Sequence, residues 1–439
     1  MNILVKIKTF TSKQIFDVKT YGMRELFRKF YLLIKVLFRI PVNIIAILPC
    51  LIIRLISPWI IIRIERFPCS NFGNFAEVPA LYHCKKKLKI DLPKKNYIDL
   101  VYIHYNDKVY NRQLAKMWKR KFNFLSGYLL DPINRVNRFI PGWRAHAIEI
   151  MSFKPEHDAD NLIEKHQPLN FTKEEEIYGK KMLNKFGLKD GDKFVCLTVR
   201  DSAYQEKKIS SRHRDWSYHD YRNHNIDNFV LAAEELANRG YYVFRMGVVV
   251  NKPLISNNSK IVDYANSDLR NDFMDVYLGA KCTFCISTGL GFDFVPYIFR
   301  RPIALMSLPV GDLRTHSEKF LLSTKHHILK KEKRKLSLSE IFTHGLAYAY
   351  NTKNFEQKGI ELVDYTPEEI KDIAIEMVEN LEFKKKLNHE EEELQKTFKR
   401  LFALNVKQTK NQQPCHKFHG QIRCRFSNKF LKENKNWLR

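Results

Sequence analysis

Between Phe194 and Ser307, short apolar runs and helical-period segments follow one another too closely for anything but a sheet covered by helices. Phe194–Val199 predicts a strand that ends at Arg200-Asp201. A polar loop from Ser202 to Asn225 leads to an amphipathic helix over 227–238, closed by Gly240. Strands are predicted at Tyr241–Gly247 and Ile261–Tyr264, then a helix from Asp272 to Ala280. Strand Cys282–Ile286 runs into Ser287-Thr288-Gly289-Leu290-Gly291, followed by a helix from Asp293 to Phe299 and a strand from Pro302 to Ser307. This alternation predicts a parallel, doubly wound sheet. Upstream, Tyr97–His104 predicts a strand, and Leu114, Met117 and Trp118 sit at helical spacing in a helix over 111–122. Thr172 with Glu175 three residues on forms a capping box that opens a helix ending at Phe186-Gly187. Pro367–Leu381 predicts a closing helix. The fold class expected is α/β, with two Rossmann-like domains facing a cleft and an N-terminal membrane-associated helical segment.

The chain carries 75 Lys and Arg against 48 Asp and Glu, a formal charge of +27, so a polyanionic partner is expected. The excess is densest in the first 66 residues and the last 55 or so, not around the central domain where a nucleic-acid enzyme would place it. On a helix, Arg24, Arg28, Lys35 and Arg39 fall within an arc of roughly 60°, and the rest of the circumference is apolar. Such a helix suits an anionic membrane surface. The apolar stretch 41–62 is long enough to span a bilayer, but Pro41, Pro49, Pro58 and Arg54 predict a broken, monotopic anchor. The partition expected is a membrane-anchor segment over 1–66, a first Rossmann-like domain over 67–190, a second over 191–383, and an exposed, poorly ordered basic tail over 384–439. The location expected is the cytoplasmic face of the inner membrane.

The cysteines form no disulfide framework. Cys282 and Cys285 make a C-x-x-C inside an apolar run, where a strand turns them to opposite faces, so they read as buried thiols. Cys415, His416, His419 and Cys424 match known zinc spacings poorly, and no metal or other cofactor is expected. Neither G-x-x-x-x-G-K-[ST] nor G-x-G-x-x-G occurs, which weighs against ATPase and nicotinamide-cofactor chemistry.

Ligands of such a sheet sit beyond the carboxyl ends of its strands. The sequence puts Arg200, Asp201, Arg245, Gly247, Asp263 and Tyr264 there, with the turn Ser287, Thr288, Gly289 and Gly291. Free amides at that turn, beside a helix start, could cradle a diphosphate. Arg222 and Asn223 add a guanidinium and an amide, and with Arg200 and Arg245 could neutralise a leaving nucleoside diphosphate without a metal. The opposing reading pairs each arginine with a nearby aspartate. For a base acting on an acceptor hydroxyl, the candidates are His104 and His146, with Asp201 and Asp215 weaker.

In one order occur Tyr221-Arg222-Asn223, Arg245-Met246-Gly247, Asp263-Tyr264-Ala265-Asn266-Ser267, Asp272–Leu278 and Ser287–Gly291. With Phe171–Glu176 and Met117–Arg120, this set resembles a sparsely characterised family of bacterial GT-B glycosyltransferases for surface polysaccharides, over roughly residues 95 to 310. The layout is also similar to heptosyltransferases, in which a Thr-Gly turn before a helix holds the donor diphosphate. Phe292-Asp293 stands where those enzymes carry a His, which weighs against an ADP-heptose donor. The resemblance implies a nucleotide-sugar donor on the C-terminal half and a glycan or lipid-linked acceptor on the N-terminal half. The competing readings are a nucleic-acid-binding basic protein and a non-catalytic factor that keeps the fold.

Overall fold

The computed structural model describes residues 22–149, 160–204, 216–383, 386–409 and 422–439, with positions 18–19, 158 and 206. Asp215 and the Cys415-His416-His419 group lie outside the described residues.

The chain divides into two compact units, the smaller made of residues up to Phe67 with Pro93–Asn106 and Phe122–Glu149. Its sheet holds three parallel strands in the order β1 (Ile61–Arg66), β2 (Tyr97–Tyr102) and β3 (Asn123–Phe124). Arg63 and Asp99 face each other across β1 and β2, buried and 2.7 Å apart. Helix Met23–Leu55 packs its second half on helix Gly127–Asn137, where Cys50 Sγ donates to the Ile133 carbonyl at 3.3 Å and Arg54 bonds Asn137. Ala46, Cys50, Ile64, Tyr102, Leu130 and Ile133 form the core between helices and sheet.

The expected break at the prolines does not occur. Pro41 and Pro49 lie inside one 33-residue helix. A proline inside a helix removes one backbone donor and kinks the rod. Here the Leu- and Ile-rich flanks and the seat on Gly127–Asn137 carry the helix through. Beyond that seat Glu25 is buried, but Phe27, Phe38, Ile45 and Leu55 are each at least 66% exposed. Among the described residues it is one helix long and apolar enough to cross a membrane.

The larger unit comprises Pro68–Leu92, Asp107–Lys121 and 150–439, so much of the stretch assigned from sequence to a separate acceptor domain packs with the second sheet. Helix Phe72–Leu88 meets the short helix Gly291–Asp293 and helix Phe294–Ile298 after it, and Asn111 donates to the Asp272 carbonyl at 2.8 Å. Helix Lys173–Lys185 opens on the expected capping box, with both hydrogen bonds made. Seven parallel strands run in the order β13-β9-β8-β7-β4-β5-β6. These are β4 (Phe194–Thr198), β5 (Tyr242–Arg245), β6 (Ile261–Val262), β7 (Phe284–Ser287), β8 (Ile303–Leu308), β9 (Phe320–Thr324) and β13 (Arg425–Phe426). From β4 the chain adds β5 and β6 on one side, then crosses to add β7, β8 and β9 on the other. The α/β class and parallel sheet expected from the sequence are therefore observed. A small antiparallel sheet of β10 (His326–Leu329), β11 (Arg334–Lys335) and β12 (Ile360–Val363) lies beyond β9.

The basic tail was expected to be exposed, but its described part is built in. Helix His389–Thr409 and strand β13 enclose Phe398, Phe402, Cys424, Phe426 and Phe430. Glu376 fixes the segment by accepting from Ser427 Oγ at 2.7 Å and the Asn428 amide at 2.9 Å. The aromatic residues of 398–437 supplied the missing core partner for β9. Cys196, Cys282 and Cys285 are buried free thiols, and burial pushes Cys196 and Cys285 well above the ordinary thiol range.

Glu175, buried at the start of helix Lys173–Lys185, supplies a pH signature. Burial works against its charge, but hydrogen bonds from Arg120, Gln113 and the Thr172 amide outweigh it and hold the carboxyl at about 2. A carboxyl depressed on folding stabilises above its unfolded value, and that stability is lost as pH falls through the folded value. Glu175→Gln is expected to cost about 2 kcal/mol at neutral pH. Urea melts of both proteins should converge between about pH 4.5 and about pH 2. A gap unchanged across that window would refute this account.

Candidate functional site

Strand order places the crossover of the larger sheet between β4 and β7, where connections leave in opposite directions, the position at which sheets of this kind bind ligands. Arg200 and Asp201 leave β4 there, Ser287 to Gly291 leave β7, and Arg245 ends β5.

The β7 turn is closed upon itself. The Thr288 amide donates to the Thr198 carbonyl at 3.2 Å, the Gly289 amide to Ser287 Oγ at 3.0 Å, and the Leu290 amide to Asp293 Oδ2 at 2.8 Å. Thr288 Oγ1 accepts from the Arg200 amide at 2.8 Å, which ties the ends of β4 and β7 together. Ser287 Oγ donates to the buried Asp293 carboxylate, and Arg314 pairs with that carboxylate at 3.1 Å. Gly291 lies against Gly73, whose amide nitrogen would be 2.9 Å from an added Cβ. Of the amide cradle expected at Ser287, Thr288, Gly289 and Gly291, the amides of 288 and 289 serve the Thr198 carbonyl and Ser287 Oγ in this structure, and that of 290 serves Asp293.

Cationic side chains remain at the crossover. Arg222 donates to the Gly289 carbonyl at 2.8 Å and pairs with Asp312 at 2.8 Å. Arg200 is brought close enough to Arg222 that its guanidinium, already penalised by burial, is pushed down to about 10. Lys325 is buried, pairs with Asp364 at 2.6 Å and donates to the Asn223 carbonyl at 3.0 Å. Burial likewise pushes its ammonium below the ordinary lysine range. Beside these lies His224, whose Nε2 is 3.0 Å from the Ser307 carbonyl.

The remaining expected donor residues separate into two groups. Arg245 is 1% exposed, pairs with Asp263 at 3.3 Å and donates to the Lys252 carbonyl at 3.1 Å. Asp263 also accepts from the Leu254 amide and from Asn266, so its carboxylate organises the loop. Tyr264 is fully buried, with its hydroxyl bonded to Asp275 at 3.0 Å, and forms part of the core instead of a ligand wall. Gly247 packs where an added Cβ would come within 2.7 Å of Val250, so close packing accounts for that glycine. The sequence reading that paired each arginine with an aspartate therefore holds for Arg222 and Arg245.

The base candidates are divided between the two units. Asp201 accepts from the Ala203 amide at 3.0 Å and the Asn251 amide at 2.9 Å in the larger unit. His104 and His146 belong to the smaller one. His104 Nδ1 accepts from the Asn106 amide at 3.1 Å, which occupies the lone pair a base would use. His146 is buried, bonds the Ile62 carbonyl through Nδ1 at 2.8 Å, and burial lowers its pKa, as befits a ring pinning its loop to β1.

Sequence reasoning missed His224, Asp312, Lys325 and Asp364. Lys325 follows an apolar run, Phe320–Thr324, and Asp364 follows Ile360–Val363. Those two strand ends were the available signal. Among the described residues there is no cluster of His, Cys, Asp and Glu suited to a metal.

No family model and no curated protein matches the chain. Among solved structures it is similar to a glycosyl transferase family 9 protein from Veillonella parvula DSM 2008, at 14% identity over 56% of this chain and 80% of that one, TM-score 0.35. It is similar to the E. coli ADP-heptose lipopolysaccharide heptosyltransferase II at 14% identity over 72% and 98%, TM-score 0.36. It is also similar to a Listeria monocytogenes protein described as a UDP-N-acetylglucosamine 2-epimerase, at 9% identity over 73% and 89%, TM-score 0.31. Likeness at this level assigns no activity, and the functional reading below rests on the geometry of the site.

Gly289 tests the closed turn. Its φ of +81° favours glycine, and a Cβ there would meet Leu308 at 2.8 Å. Gly289→Ala is expected to cost about 1–3 kcal/mol, read as a lowered melting temperature. An unchanged melting temperature would contradict the turn geometry.

Proposed function

We propose that the protein is a glycosyltransferase that moves a sugar from a nucleotide-sugar donor to a surface-glycan or lipid-linked acceptor. The observation that carries this reading is that the 287–291 turn gathers two arginines at the crossover, the Arg200 amide on Thr288 Oγ1 at 2.8 Å and the Arg222 guanidinium on the Gly289 carbonyl at 2.8 Å. Arg222 keeps Asp312 at 2.8 Å and burial penalises the charge of Arg200 beside it, so a phosphate dianion would add charge-assisted hydrogen bonds to both. A nucleoside diphosphate is such an anion, and a crossover crevice in a sheet of this order is where nucleotides bind. In the reaction the same cations would steady charge growing on the departing diphosphate without a metal. We further propose that the smaller unit supplies the acceptor side of a GT-B arrangement, two Rossmann-like lobes facing a cleft. The sugar and acceptor are left unnamed.

The exposed apolar side chains of helix Met23–Leu55 and the charge of +27 support a peripheral or monotopic seat on an anionic membrane, at the cytoplasmic face where lipid-linked acceptors are glycosylated.

Calorimetry of the full chain with UDP, ADP, GDP and their sugars tests the donor site. One nucleotide family is expected to bind, and Arg200→Gln is expected to weaken it about 10- to 100-fold, the worth of one charge-assisted hydrogen bond. Absence of binding by every nucleotide would overturn the reading. Vesicle co-sedimentation tests the seat. The chain should pellet with phosphatidylglycerol vesicles more than with phosphatidylcholine ones, and recovery in the supernatant with both would remove the membrane from the proposal.

A further inference from the structure

Just past the carboxyl end of β2, in the smaller unit, three rings stack in a ladder. His104 and Tyr105 lie 4.2 Å apart between centroids and 26° from parallel, and Tyr105 and Tyr128 lie 4.8 Å apart and 10° from parallel. Tyr128 is 74% exposed although Tyr105 covers one face of its ring, so the outer face is open to solvent. Tyr105, in the middle, is 40% exposed along its edge.

Local structure fixes the ladder. Helix Gly127–Asn137 starts directly against the end of β2, where a Cβ on residue 127 would stand 2.2 Å from the Ile103 carbonyl oxygen. Glycine alone allows that approach, and the approach brings Tyr128 over Tyr105. The Asn106 amide donates to His104 Nδ1 at 3.1 Å and holds the innermost ring. On its other side His104 Nε2 faces Asp131 Oδ1 at 3.8 Å, an oxygen that also accepts from the Tyr102 hydroxyl at 3.2 Å. Arg135 pairs with the second oxygen of Asp131. The outermost ring is therefore positioned before anything binds, which spares a ligand the cost of ordering it.

The open end of such a stack has room for one more flat group. An aromatic face is negatively polarised, and it attracts the C–H bonds on the apolar face of a sugar ring while the sugar's hydroxyls stay at the wet rim. Its position is also one where parallel sheets bind ligands, beyond the carboxyl ends of the strands. Helix Met23–Leu55 runs alongside Gly127–Asn137 in the same direction, since Cys50 meets Ile133 and Arg54 meets Asn137 one turn further on. Its first half thus extends past the end that carries Tyr128, the side from which a lipid-borne sugar would arrive.

We propose that Tyr128, backed by Tyr105 and His104, is the stacking platform for a sugar ring of the acceptor. The inference rests on the acceptor role proposed above for the smaller unit and gives that role a site. Stacking holds and orients the ring without touching the bonds that react.

Saturation-transfer NMR of the full chain with methyl glycosides of hexoses, 6-deoxyhexoses and N-acetylhexosamines tests this. At least one glycoside is expected to receive saturation on the C–H protons of one ring face. Tyr128→Ala is expected to weaken that binding about three- to tenfold, while Tyr128→Phe and Tyr128→Trp, which keep a flat ring, stay within about twofold of wild type. Unchanged binding by Tyr128→Ala overturns the inference, as does a loss shared equally by the Ala and Phe variants. So does a loss of vesicle pelleting in Tyr128→Ala with saturation transfer unchanged, which assigns the ring to the membrane. A chain that binds a nucleotide yet passes saturation to none of the glycosides overturns the inference alone. A chain that binds neither overturns the donor reading as well.

Discussion

The junction of β4 and β7 governs the site because backbone and side chain are committed there to each other. Thr288 gives its amide to the Thr198 carbonyl and takes the Arg200 amide on its hydroxyl, so the two strand ends cannot separate. Asp293 then consumes the positive end of the turn by accepting from the Leu290 amide and Ser287, with Arg314 behind it. A turn that would otherwise bind an anion through its backbone has been given an internal one. What the turn leaves beside it is therefore side-chain charge, carried by guanidiniums.

That shift places a demand on the surrounding acids. Arg222 and Arg245 each keep an aspartate, Asp312 and Asp263, while Lys325 keeps Asp364. A buried cation without such a partner would cost several kcal/mol. The partners hold the cations in place, and Arg200, buried beside Arg222, shares the field of Asp312. Preorganised charge of this kind needs no rearrangement when a leaving group develops its own.

The sequence made the centre of the larger sheet legible and its margins obscure, for one physical reason. Strands β4, β7 and β8 are buried on both faces and read as unbroken apolar runs. Strand β13 is two residues, Arg425-Phe426, and becomes a strand only by pairing with β9. Helix Phe72–Leu88 is buried around most of its circumference and contains Pro79, so it shows no amphipathic stripe to detect. The capping box at Thr172 and Glu175 is local, and it was readable. In the site, Arg200, Arg222 and Asn223 were legible as polar residues after a strand. Their partners were not, since Asp312, Lys325 and Asp364 reach them only through tertiary folding. Tyr264 shows the converse, a polar residue at a strand end whose hydroxyl turns inward to Asp275.

The same distinction between local and tertiary information explains the N-terminal helix. Proline spacing is a local signal and argued for a break, yet continuity is set by what the rod rests on. Its second half has Leu130 and Ile133 beneath Ala46 and Cys50, and Arg54 reaches Asn137. In its first half Glu25 is buried, while Phe27, Phe30 and Leu37 stand open. An apolar surface of that extent is stable in water only at considerable cost, about 25 cal/mol for each Å² left exposed. A bilayer removes that cost without requiring a protein partner. The basic residues Arg24 and Arg39 would then lie at the headgroups, where their charge attracts anionic lipid instead of opposing burial.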